Sequence, residues 1–133
     1  MKRKSKMAQN INVRKFAGFA VLAAVINSVV FFIAKAADAT MIIKQGGERE
    51  ITVPMVLGST LFGLLVAAFF ASKIGAKSQS FLSKAPLYGL VFGVVTAAAP
   101  FTATDDSKTA LGLASMHIVA GLVWFVGSKR STI

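Results

Sequence analysis

Four apolar runs separated by short polar segments organise this chain, at residues 16–34, 53–72, 87–104 and 109–127. Each holds about 18–20 residues, the length an α-helix needs to cross a hydrocarbon core of roughly 30 Å at 1.5 Å per residue. The segments between them are short, so neighbouring helices must run antiparallel. The pattern predicts an all-α membrane protein: a four-helix transmembrane bundle over residues 16–128. A basic tail (1–15) precedes it and a short tail (129–133) follows.

The interruptions carry their own signals. Between the first two runs, residues 40–44 and 48–53 alternate around Gly46 and Gly47, as a short β-hairpin outside the membrane would. An irregular loop is the competing reading, because a lone hairpin is marginal in water. Pro54 suits the first turn of the second helix, where its missing N–H costs nothing. Ser83 with Pro86 marks the start of the third helix, and Pro100 its fraying end. Small residues recur every fourth position as Ala20, Ala24 and Ser28, as Ser59, Gly63, Ala67 and Ala71, and as Gly89, Gly93 and Ala97. In lipid such stripes allow close backbone approach, so they are expected to form helix-packing seams within the bundle, or else a homodimer face.

Composition agrees with the pattern. Mean hydropathy is +0.68 with 55% apolar residues, too apolar for an ordinary soluble domain, and 133 residues leave no room for a second one. A net charge of +10 would suggest nucleic acid in a soluble protein, but the placement of the charges points to lipid. Eleven of the fifteen Lys and Arg residues lie at residues 2–15, 73–84 and 129–130 with no acid among them. The other four, Lys35, Lys44, Arg49 and Lys108, share their segments with all five acids. The positive-inside rule puts the basic side in the cytoplasm, with both termini inside. That face is expected to attract anionic lipid headgroups. No nucleic-acid partner is expected, because no aromatic residue interrupts residues 2–6 to offer a stacking surface. The basic start, first run and small residues around Lys35 also resemble a secretory signal. A run near 19 residues carrying Asn27 favours a retained span.

Candidate chemistry is sparse. Cysteine is absent, which removes disulfides, thiol catalysis and thiolate-bound metal. His117, the single histidine, and Asn27 both fall near the middle of their spans. Unpaired polar groups are costly there, so they are expected to face the interior, bonding to each other or to Thr60, Thr96 or Ser115. Such a group is either polar glue between helices or part of a proton or substrate path. No Asp, Glu, Lys or Arg lies deep in a span, so acid–base catalysis lacks a partner for His117. One histidine also makes a poor metal or haem site. No catalytic residue, cofactor site or metal site is therefore expected. Trp124 and Tyr88 match interfacial anchors, and the pair Asp105 and Asp106 reads as a cap on the fourth helix.

Several segments resemble a family of uncharacterised bacterial four-helix membrane proteins classed as a domain of unknown function. They are Ala24, Val25, Ile26 and Asn27 with the apolar run ending at Lys35; Thr52, Val53 and Pro54 before the second span; and Ala114 to Val119, which is similar to that family's Met-His-(Leu/Ile)-Val segment. The resemblance covers about residues 16–128. It implies a four-helix fold in the bacterial cytoplasmic (inner) membrane and no established activity. Two functions fit. One is a non-enzymatic structural or accessory subunit that binds a larger membrane partner. The other is a small transporter or channel, as a single chain or a dimer, using the Asn27 and His117 pair, which would require a cavity at those residues.

Overall fold

The computed structural model describes residues 9–132. Its elements are α1 (Val13–Ala36), β1 (Ile42–Ile43), β2 (Arg49–Glu50), α2 (Val53–Gly75), α3 (Gln79–Thr96), α4 (Pro100–Ala103) and α5 (Ser107–Arg130). Four segments, Val13–Ala36, Val53–Gly75, Gln79–Ala103 and Ser107–Arg130, are long and apolar enough to cross a membrane. Large apolar side chains stand on their outward faces, Phe62 at 71% and Val95 at 64% exposure among them.

Side-chain caps start three of the long helices. The carboxamide of Asn12 accepts from the Lys15 N–H, the hydroxyl of Ser78 from Phe81, and the carboxylate of Asp106 from Thr109, each pairing an N–H the first turn leaves free. Pro54 sits in the first turn of α2, as expected. The start expected at Ser83 and Pro86 is corrected: α3 begins at Gln79, and Pro86 lies inside it. Ser78 outweighs the proline because a polar cap satisfies donors, whereas Pro86 only deprives the Leu82 carbonyl of one.

The reading of residues 1–15 as a tail also changes. Residues 1–8 fall outside the described part, but residues 9–12 are bound into the fold. Ile11 is buried and bridges to Thr132, and the Asn10 amide donates to the Ser72 carbonyl at 2.8 Å. Gln79 donates to the Gln9 carbonyl at 2.9 Å. At the other terminus α5 continues through Lys129 and Arg130, whose charges favour the negative end of the helix dipole.

The helices form an open arc in the order α2, α1, α5, α3. Helix α1 packs along both α2 and α5, and α5 along α3, while α2 meets α3 and α5 only sparsely. Two apolar clusters fill the arc. One, near the chain termini, joins Phe16, Ala20, Ala23, Leu64, Ala68, Leu82 and Trp124. The other, at the opposite end, joins Phe31, Ala34, Met41, Val56 and Met116. Strands β1 and β2 pair antiparallel, Ile42 with Glu50 and Ile43 with Arg49, around Gly46 and Gly47 in the left-handed region.

This β segment is tied to α5 by Asp106. Its carboxylate accepts from the Thr40 N–H at 2.8 Å and from the Thr109 hydroxyl at 2.5 Å, and the Met41 N–H donates to the same hydroxyl at 2.8 Å. These bonds, Thr109 first and Thr40 next, lower the Asp106 pKa to about 2. The adjacent Lys44 and Asp105 form an exposed ion pair at 3.0 Å, which raises the Lys44 pKa.

Candidate functional site

Because α2 stands away from α3 and α5, a groove of about 780 Å³ opens between them. It runs along α2 from Met55 to Ile74, along α3 from Phe81 to Thr96 and along α5 from Leu113 to Trp124. Its walls are mostly apolar, with a few polar groups mid-way along the helices. Asn27, Thr60, Thr96 and His117, four of the five polar residues expected near mid-span, all line it.

They form two separate pairs, and Asn27 does not bond to His117. The Asn27 amide donates to the Thr60 hydroxyl at 3.1 Å and to the Met116 carbonyl at 3.3 Å. One side chain of α1 thus clamps both α2 and α5, between the two apolar clusters. Asn27 is 2% exposed, and its carbonyl oxygen is buried without a partner. In the second pair the Thr96 hydroxyl and His117 Nδ1 stand 3.1 Å apart. That hydroxyl is also 2.7 Å from the Phe92 carbonyl. A hydroxyl has one proton, so Thr96 either donates to His117 Nδ1 or donates to Phe92 and accepts from His117 Nδ1–H. In the second arrangement the imidazole keeps its lone pair on Nε2. Among the described residues the half-buried ring makes no second hydrogen bond.

The fifth residue, Ser115, does not belong to the site. It is exposed and donates to the Leu111 carbonyl of its own helix at 2.8 Å. Its place two residues before His117 turns it by about 200° to the far side of the helix. Trp124 is likewise not an interfacial anchor. It is 5% exposed, donates from Nε1 to the Ala85 carbonyl at 2.8 Å and meets the Phe16 ring edge-on at 5.2 Å. Tyr88 is half exposed, at 51%, on the rim of the groove.

The small-residue stripes divide. Ala20, Ala24, Gly93 and Ala97 are buried, while Ser28 is partly so and bonds to Ala24 of its own helix. Gly89 and Gly93 form a true seam. A Cβ on Gly89 would stand 2.0 Å from the Trp124 ring, and one on Gly93 would stand 2.8 Å from the Gly121 Cα. On α2 the expected seam is absent: Ser59, Gly63 and Ala67 are exposed and line the groove with Ala71, which is buried. A Cβ on Gly63 would meet nothing within 4 Å.

The seam's other half, on α5, was not among the expected packing residues. Gly112, Gly121 and Gly127 approach Ala34, Gly93 and Phe19 closely. Glycine inside a helix costs about 1 kcal/mol against alanine, so three in one span is a signal that asks for a packing reason. Among the described residues no group of three or more His, Cys, Asp or Glu side chains is placed to hold a metal ion.

A family of unknown function, DUF6069, matches residues 7–132, and the chain belongs to that family. No curated protein and no solved structure matches the chain.

Proposed function

We propose that this family member is a four-span protein of the bacterial cytoplasmic membrane. In this reading, it holds an elongated apolar molecule, taken from the bilayer, in the groove between α2 and the α3–α5 pair. The observation that carries this reading is the groove itself, open at its side and lined by Asn27, Thr60, Thr96 and His117 amid apolar walls. Cavities of 300–1,000 Å³ with few polar groups are typical of small-molecule sites. Met55 to Ile74 spans about 28 Å of helix at 1.5 Å per residue, long enough for an extended hydrocarbon chain to lie along the groove.

The proposed topology has both termini and the basic segments in the cytoplasm, with anionic lipids at that face and the β1–β2 segment outside. Exposed Phe62 and Val95 then meet lipid tails. The role is non-enzymatic in this reading: His117 pairs with a hydroxyl and not a carboxylate, which leaves no acid–base pair. The accessory-subunit reading draws support from the same open groove, whose α2 wall is bare at Gly63 and where a helix of a partner or second copy would pack.

Native mass spectrometry of protein released from nanodiscs of bacterial lipid tests the binding role. One apolar molecule should remain per chain and be lost from Gly63→Phe, whose ring fills the groove. Equal retention by both proteins would contradict it. For topology, a cysteine at Lys77→Cys should label only from inside and one at Asp105→Cys only from outside. The reverse pattern would overturn the orientation.

A further inference from the structure

The sequence and groove together narrow the ligand further, and this step rests on the binding role proposed above. Within a bilayer an apolar chain needs no polar contact, yet this groove places an imidazole in its wall, mid-way along α5. The state of that imidazole follows from its neighbours. Thr96 lies on α3, one helical turn after Phe92, whose carbonyl at 2.7 Å is a nearer acceptor for the hydroxyl proton than His117 Nδ1 at 3.1 Å. Thr96 then offers only lone pairs, so it holds His117 as the Nδ1–H tautomer at 3.1 Å. Nε2 becomes an acceptor. Among the described residues it has no partner, and it is not among the buried polar atoms left without one, so it remains accessible.

The surroundings set the charge of what it accepts from. Among the groove-lining residues there is no Asp, Glu, Lys or Arg. A cationic ligand would find no counter-charge there, and an anion would face the Nε2 lone pair. The remaining match is a neutral donor on an apolar body. We propose that the groove selects an elongated apolar molecule carrying a neutral O–H or N–H part-way along its length, which donates to His117 Nε2. Thr96 is the positioning residue that keeps Nε2 an acceptor.

Two measurements test this. The chain has one histidine, so ¹⁵N spectra of the imidazole in nanodiscs report that residue alone. The Nδ1–H tautomer is expected, and the Nε2–H tautomer would overturn the inference. The chain also has one tryptophan, Trp124, and it lines the groove. Brominated C18 methyl esters, one with a mid-chain hydroxyl and one with that hydroxyl methylated, can then be compared as quenchers of its fluorescence. The hydroxyl form should bind roughly three- to twentyfold more tightly, the range of a single interhelical hydrogen bond. His117→Leu should erase the preference while both chains still quench. Thr96→Val, which frees the tautomer, should reduce it.

Equal binding of the two chains to the wild type would overturn the donor inference and leave the groove occupied as proposed. Tighter binding of the methylated chain would overturn it as well. If neither chain quenches Trp124, the groove reading falls and this inference with it.

Discussion

On α3, Gly89 and Gly93 stand four residues apart and meet α5 so closely that a single added carbon would strike the Trp124 ring or the Gly121 backbone. On α2, Ser59, Gly63 and Ala67 stand at the same spacing but are exposed, and a carbon added to Gly63 would meet nothing within 4 Å. The two stripes differ in what faces them. Helix α5 answers α3 with its own glycine, so backbones approach and dispersion contact holds them without a hydrophobic driving force. Small residues of α3 and α5, Gly89, Gly93 and Gly121 among them, also line the groove, but they are taken up by each other and by Trp124, and bulky Phe81, Phe92 and Leu113 stand beside them. Removing side-chain volume from one helix draws two together only when a neighbour's bare face is free to meet it; otherwise it hollows out a site.

The largest contrast to seek is between equivalent substitutions on the two stripes. Gly93→Leu should separate α3 from α5 and lower stability in a detergent–SDS unfolding titration by about 3 kcal/mol, the upper range for overpacking. Gly63→Leu should stay within about 1 kcal/mol of the wild type. Matching losses would mean that α2 is packed after all.

A smaller loss, about 0.6–1.7 kcal/mol by the same titration, is expected for Asn27→Leu, which removes the clamp from α1 to Thr60 and Met116. The groove should survive it, because α1 and α2 also share apolar contacts through Ala20, Leu64 and Ala68. Loss of ligand retention without loss of stability would instead place Asn27 among the ligand's contacts.

The smallest effect concerns the far end of the bundle. The Asp106 pKa lies below its ordinary value of 3.8, so the carboxylate binds fewer protons in the folded state. Its contribution is fully present above about pH 4 and is lost as pH falls through about 2. Hydrogen-exchange protection at the Thr40 and Met41 amides should hold from neutral pH down to about 4 and fall below it. Asp106→Ala should remove the protection of the Thr40 amide at neutral pH. Unchanged protection there would show that this amide is held by something other than Asp106.

Much of the fold is legible because lipid-compatible length and apolarity are properties of a single helix. The four spans, Pro54 in the first turn of α2 and the Asp106 cap depend only on local chemistry. The site is legible in part. Asn27, Thr60, Thr96 and His117 stand out as polar residues mid-span, and that alone marks them. Their pairing does not, because it depends on which helices become neighbours: Asn27 reaches Thr60 and Met116 across the α1 contacts, and His117 reaches Thr96 across the α3–α5 seam.

Residues whose fate rests on rotation or partners mislead. Ser115 shares the polarity of its neighbours but turns away, and Trp124 looks interfacial yet fills the space opposite Gly89. The α2 stripe reads as a seam because periodicity reports one face and never what opposes it.

The central claim is that α2 stands apart and leaves a groove open to lipid. Quenching of Trp124 by mid-chain brominated phospholipid tests it most directly, since a residue 5% exposed inside a closed bundle is shielded from lipid tails. The account predicts strong quenching in the wild type and its loss in Gly63→Phe, with the fold intact. Weak quenching in the wild type, or equal quenching in both proteins, would contradict it.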